Sequence, residues 1–391
     1  MKKTKVLFIS HEDSNFGAPK SMMELMRTLK KFYNVEPIAV LFSEDAIYEE
    51  CKKEDIETFV VGHRNFVCGK KNDIKSYIKY PFKYILNNYS DWRAIRKLTN
   101  LLENSSVDLI HSNVTINSLG AKLSKKFNIP MITHLREAGT VLDEYLYAKP
   151  NYIQFLNNFT TEFISISNFN KNEWVKRGLE QNKVTTIYNG IANGNNTYKS
   201  LRKCDGEKIK IVITGALSES KSQDTLIKAI GKLPKKYYKK ITLDILGSGD
   251  KDYTRYLHDL TKECELEGII NLVGYVKNAY SRFSEYDVGV ITSKNEAFGR
   301  VTAEYMLNGL CVLGANSGAT PELICDNHTG LLFEVDDSNN LAEKLQYILE
   351  NEDLISNIGE NARNQALREY TSDINAKNIY NLYMKILKEK E

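Results

Sequence analysis

Short apolar runs alternate with helix-length periodic segments from one end of the chain to the other. In the first half the runs at Lys5–Ser10, Val35–Leu41, Glu57–Val61, Val107–His111, Pro130–His134, Glu162–Ser167 and Val184–Tyr188 predict strands. Segments such as Pro19–Lys31, Ile116–Phe127 and Asn168–Gly178 predict helices between them, the last ending at a glycine suited to a C-cap. The pattern then breaks at the Asn- and Gly-rich stretch Asn189–Ser200 and the polar Leu201–Lys208. A second series follows, with strands predicted at Ile209–Thr214, Ile241–Leu246, Ile269–Val273, Val288–Thr292, Cys311–Ala315 and Leu331–Glu334. Its helices fit Asp224–Lys232, Tyr253–Glu265, Ala279–Ser284, Val301–Asn308 and Asn339–Glu350, and the tail Glu352–Lys390 reads as almost wholly helical. Strand and helix in strict alternation is the signature of parallel sheets wrapped by helices. The expected architecture is α/β: two Rossmann-like domains with parallel sheets facing across a cleft.

Length agrees, because one hydrophobic core stops growing at roughly 250–300 residues and this chain has 391. With 42% apolar and 26% charged residues it is neither disordered nor fibrous. No window approaches 18 consecutive apolar residues, which excludes a spanning helix, and the apolar run after Lys5 is too short for a signal peptide. The six cysteines form no C-x-x-C pair and have no His at zinc-ligand spacing, so reduced thiols and a cytoplasmic setting are expected. The net charge of +3 is unevenly spread. His63–Asn100 carries nine basic residues against Asp73 and Asp91, interleaved with Phe66, Tyr77, Tyr80, Phe82, Tyr84, Tyr89 and Trp92. Two readings stand side by side: docking at an anionic membrane or nucleic acid, or a solvated helix face whose aromatics pack inward on the sheet.

The dinucleotide fingerprint is missing, since Asn15-Phe16-Gly17-Ala18-Pro19 offers one glycine where three are needed. Gly17 still permits close approach to a ligand at a helix start. After strand Ile209–Thr214, Gly215 turns the chain and Lys221 can reach a phosphate over the sheet edge. The most informative segment runs from Ser293 to Gly309. It joins a strand end, a glycine turn at Gly299 and a helix start, with Glu296 and Glu304 eight residues apart. The amides after Gly299 suit a diphosphate, Glu304 suits ribose hydroxyls and Glu296 suits a sugar.

Glu296 to Glu304 matches the E-x7-E motif, and the chain resembles the GT-B glycosyltransferases of family four, the group 1 family of retaining enzymes. The resemblance extends through Gly17-Ala-Pro-Lys, Asp108-Leu-Ile-His111, His134-Leu-Arg-Glu137, Tyr188-Asn-Gly-Ile191, Gly215-x-Leu217 with Lys221, Leu246-Gly-Ser-Gly249, Gly274-Tyr-Val276 and Gly309-x-x-Val312. It implies an acceptor-side domain at 1–190, a linker at 191–208, a donor domain at 209–371 and a last helix, 372–391, returning to the first domain. It implies a donor site of Gly215, Lys221, Gly274, Tyr275, Val276, Glu296, Phe298, Gly299, Arg300, Val301 and Glu304. Gly17, Ala18, His134 and Arg136 would lie on the acceptor side, and Glu296, His134 and Lys221 would serve catalysis. One departure matters: many members place Arg after the first glycine of the G-x-L motif, where this chain has Ala216. Arg300 or Arg136 would have to compensate, or affinity would fall.

The implied activity is a retaining hexosyl transfer from a nucleotide diphosphate sugar, with UDP favoured, to a saccharide, lipid-linked or protein-linked acceptor in cell-surface polysaccharide or glycoconjugate synthesis. No cofactor is expected, and no metal, for want of a D-x-D or His/Cys cluster. The alternatives are a UDP-sugar 2-epimerase on the same architecture, whose acid/base pair is not evident, and a non-catalytic partner subunit, toward which only Ala216 points. Nucleic-acid binding lacks any recognised module.

Overall fold

The computed structural model describes residues 3–10, 17–104, 106–192 and 208–389. Asn15, Phe16, Cys204 and most of the expected linker 191–208 lie outside the described residues. The chain divides into two compact units, Met1–Gly190 with Ser372–Glu391, and Ile191–Thr371.

In the first unit seven parallel strands lie in the spatial order Glu57–Val60, Val35–Leu41, Thr4–Ile9, Leu109–Ser112, Met131–Leu135, Glu162–Ser165 and Val184–Thr186. Both faces are covered, as an all-parallel sheet requires. On one face Val6, Phe8, Leu109, Ile132 and Ile164 pack with Met22, Met26 and Leu29 of the helix Gly17–Phe32. The C-terminal helix Ser372–Lys388 joins them through Ile379, Leu382, Tyr383 and Ile386. On the other face Leu7, Ile9, Ile38 and Ile110 meet Leu119 and Leu123, with Ala94 and Leu98 of a long helix, Ile74–Asn104.

The second unit has six parallel strands in the order Ile270–Gly274, Ile241–Leu246, Ile209–Thr214, Val288–Ile291, Cys311–Ala315 and Leu331–Phe333. In each unit the chain starts at a central strand, winds to one edge, then returns to build the other side. The resulting reversal leaves a crevice at the carboxyl ends of two central neighbours, the usual place for a ligand in such sheets.

Three local expectations differ. Ala279–Glu285 is a 3-10 helix and not an α-helix, its ends closed by three-residue bonds from the Ser281 amide to Asn278 O and from the Tyr286 amide to Phe283 O, each 3.1 Å. A small antiparallel pair, Val67–Lys70 with Tyr145–Tyr147, was absent from the apolar pattern. The inward packing of the basic segment's aromatics also fails. Phe66 is buried, but Tyr77, Phe82, Tyr84, Tyr89 and Trp92 are exposed on the long helix, whose inward residues include Ser76, Asn87, Ser90 and Asp91. Polar anchors hold that inner face: Asn87 Nδ2 donates to the Asn65 carbonyl at 3.0 Å, and Lys122 Nζ meets Asp91 Oδ2 at 2.8 Å. The outer face is left with the apolar side chains.

Candidate functional site

The reversal point of the second unit lies between strands Ile209–Thr214 and Val288–Ile291. Their following loops are laced together. Thr292 Oγ1 donates to the Lys221 carbonyl at 2.6 Å, and the Lys294 amide to the Ser220 carbonyl at 3.0 Å. On its other side the loop from Gly215 is tied to the next one, the Leu217 amide donating to Ser248 O at 3.1 Å. This framework sets Lys221 against Glu296, its Nζ donating to Glu296 Oε1, with both side chains partly exposed.

Two glycines make the loop possible. Gly318, at φ +59°, brings its backbone against Glu296; a Cβ there would fall 2.6 Å from both the nitrogen and the oxygen of Glu296. The Ala319 amide then donates to Glu296 O at 2.9 Å. Gly299 adopts φ +87° and starts the helix Arg300–Leu307, which no side chain caps. First-turn amides of a helix have no intrahelical acceptor, and they concentrate partial positive charge. Thr302 Oγ1, beneath Gly299, is buried and makes no hydrogen bond. One turn on, Glu304 Oε1 accepts from Arg300 Nε at 2.9 Å. Burial and the Glu304 carboxylate push the Tyr280 phenol up to about 12. The site therefore presents an ammonium, a guanidinium and an uncapped helix start beside two carboxylates: groups able to hold a diphosphate and accept hydroxyl hydrogen bonds.

Of the other candidates here, Phe298 is buried edge-on to Tyr370 with ring centroids 6.0 Å apart, so its ring anchors the loop. Val301 is half-buried in the first turn. Gly274 ends the edge strand at φ +83°, its carbonyl accepting from the Gly247 amide at 2.8 Å, and leads to the exposed Tyr275 and half-buried Val276. Gly318 and Thr292 were not singled out from the sequence, and Thr302 only for its backbone amide. The cue for Gly318 is a Ser-Gly-Ala-Thr-Pro turn directly after strand Cys311–Ala315.

In the first unit Gly17 opens its helix at φ +51°. The Ala18 carbonyl accepts from Asn113 Nδ2 at 3.0 Å, and Asn113 Oδ1 from Arg136 Nε at 2.7 Å. Arg136 Nη1 also donates to Asn189 Oδ1 at 2.7 Å, which ties three carboxyl-end loops together. His134 is fully buried; its Nδ1 lies 3.2 Å from His111 Nε2, and His111 Nδ1 lies 2.6 Å from the Tyr383 hydroxyl of the C-terminal helix. His134 Nε2 has no hydrogen-bond partner. Burial, then the charge of Arg136, holds both imidazoles neutral, His111 at about 3 and His134 well below its usual value. Nearby, burial raises the Glu137 carboxyl to about 7 despite hydrogen bonds from the Thr115 amide and hydroxyl.

Comparison with known proteins adds the family. Residues 17–193 match the family described as Glycosyltransferase Family 4, and residues 197–365 match Glycosyl transferases group 1. The N-acetylgalactosamine-N,N'-diacetylbacillosaminyl-diphospho-undecaprenol 4-alpha-N-acetylgalactosaminyltransferase of Campylobacter jejuni is 25% identical over 86% of this chain and 88% of its own. The capsular polysaccharide biosynthesis glycosyltransferase CapM of Staphylococcus aureus is 22% identical over 80% of this chain and 85% of its own. Among solved structures, Anabaena HepE in complex with UDP and glucose has a TM-score of 0.77, covering 98% of this chain and 100% of that one at 20% identity. That likeness is one of fold, the two Rossmann-like halves of GT-B.

Proposed function

The chain belongs to the GT-B glycosyltransferases of family 4, and from that premise we propose that it transfers a sugar from a UDP-sugar to a saccharide hydroxyl with retention of configuration and without a metal. The observation that carries this reading is the grouping of Lys221, Glu296, the Gly299 helix start and Glu304 at one reversal point. As the bond from the anomeric carbon to the diphosphate oxygen breaks, negative charge grows on the diphosphate. The Lys221 ammonium and the first-turn amides stabilise it without reorganising, the main source of rate in such sites. The acceptor oxygen bonds to the anomeric carbon on the face the diphosphate leaves, and its proton passes to a diphosphate oxygen. No side-chain nucleophile is then needed.

Glu304 accepts the ribose hydroxyls, and Glu296 those of the transferred sugar. Arg300, four residues before Glu304 and bonded to it, supplies the second positive charge that Ala216 does not. The neutral His134 orients acceptor or donor through Nε2. The name of the Campylobacter jejuni relative, which places its acceptor on diphospho-undecaprenol, and that of the capsular relative both favour a lipid-linked or saccharide acceptor of cell-surface glycoconjugates. The test is incubation with a panel of UDP-sugars, following UDP release and the first-formed anomer by NMR. Release of UDP with an α product from an α donor is expected; no release with any donor, or a β product, would contradict the proposal.

A further inference from the structure

The helix Ile74–Asn104 carries its apolar residues on the wrong side for a core helix. Ile74, Ile78, Phe82, Ile85, Tyr89 and Trp92 follow one another at steps of three or four residues, which sets them on one face. The first four are 63–75% exposed, and Tyr89 and Trp92 more than half. The opposite face, Ser76, Asn87, Ser90, Asp91, Ala94 and Leu98, is the one buried against the unit. Monomeric soluble proteins rarely leave so continuous an apolar stripe in water. Tyr89 and Trp92 stack at 6.0 Å between centroids, and Arg96 sits over the Trp92 ring at 4.8 Å, an aromatic and cationic group suited to a polar–apolar boundary.

The charge beside the stripe selects what covers it. Lys75, Lys79, Arg93, Arg96 and Lys97 are exposed along the helix. The sole carboxylate between Lys75 and Asn100 is Asp91, which is buried and held by Lys122. A second copy pairing through this face would bring two all-basic rims together, whereas an anionic surface would meet charge and stripe at once. Among the described residues no helix is long and apolar enough to cross a membrane. A basic amphipathic helix of this kind lies in the plane of the interface instead.

We propose that the outward face of Ile74–Asn104 docks on an anionic phospholipid bilayer, with Ile78, Phe82 and Ile85 entering the acyl boundary and the flanking lysines and arginines meeting headgroup phosphates. This holds whatever sugar the enzyme transfers.

The protein's own fluorescence provides the test, because it has two tryptophans and the other, Trp174, is fully buried. The full chain is mixed with vesicles of equal parts phosphatidylglycerol and phosphatidylcholine, with or without brominated acyl chains. Co-sedimentation should appear with these vesicles, fail with phosphatidylcholine alone and fall in high salt. Bromolipid should quench emission in the wild type and not in Trp92→Phe. Replacing Lys75, Lys79 and Arg93 together by Glu should weaken partitioning by about a hundredfold or more. Replacing Ile78, Phe82 and Ile85 by Ser should abolish quenching with circular dichroism unchanged, since these exposed side chains do not support the fold. Binding absent from anionic vesicles, or indifferent to both variants, would overturn the proposal. So would a dimer that the Ser variant converts to monomer while Trp92 stays unquenched by lipid, which would assign the face to a second copy.

Discussion

Lys221 and Glu304 flank the uncapped helix start from two directions, one on a loop and one on the helix itself. Lys221→Ala and Glu304→Ala should each lower kcat/KM by about 2–4 kcal/mol of transition-state stabilisation, the range for losing one preorganised contact to developing charge. Melting temperature should hardly move, because the ion pairs they break are partly exposed and contribute little to folding. Wild-type turnover in either variant would remove that residue from the site. Glu137 makes a separate expectation at the same scale. Its carboxyl is raised from 4.5 to about 7 by burial, so between those values the folded protein binds more protons than the unfolded chain. Its stabilising effect is complete below 4.5 and is lost as pH rises through 7. His111, lowered from 6.5 to about 3, acts in the opposite sense: its contribution is complete above 6.5 and fades as pH falls. Glu137→Gln should therefore remove a decline of the order of 2 kcal/mol between mildly acid and mildly alkaline pH. Melting profiles of wild type and variant that run parallel across that range would contradict it.

Among the elements, the C-terminal helix is the one whose loss should be felt most. Ile379, Leu382, Tyr383 and Ile386 are buried in the first unit's core, and burying each such side chain contributes about 1.5–3 kcal/mol. Deleting Ser372 onward should thus remove a large part of a domain's whole stability, about 5–15 kcal/mol, and expose surface that binds a hydrophobic dye. An unchanged melting temperature would contradict the packing. Gly299→Ala should cost about 1–2 kcal/mol in strain at φ +87°, and it would crowd Thr302 Oγ1 at 2.9 Å. The positions of the strands were legible from the sequence because parallel strands covered on both faces read as largely apolar runs, as at Val288–Ile291 and Cys311–Ala315. The short pair Val67–Lys70 and Tyr145–Tyr147 was not, since its stability comes from hydrogen bonds between segments far apart in the chain. The long helix was obscured by Pro81 within it and by apolar residues that face outward, the reverse of the usual pattern.

At the scale of the molecule, two sheets of the same winding place two sets of groups at their reversal points. Spacing along the chain was enough to single out Lys221, Glu296 and Glu304, because glycine turns and helix starts lie next to them in sequence. The roles of Asn113, His111, Tyr383, Thr292 and Gly318 were not legible, because they depend on partners brought close only by folding, such as the Tyr383 hydroxyl 2.6 Å from His111. The proposal that the second unit is a UDP-sugar site needing no metal is tested most directly by titrating UDP into the full chain by calorimetry in the presence of EDTA. One UDP should bind per chain, and Lys221→Ala and Glu304→Ala should each weaken it by about tenfold or more, the equivalent of about 1.4 kcal/mol. Binding that needs added divalent cation, or that is equally tight in both variants, would contradict the account.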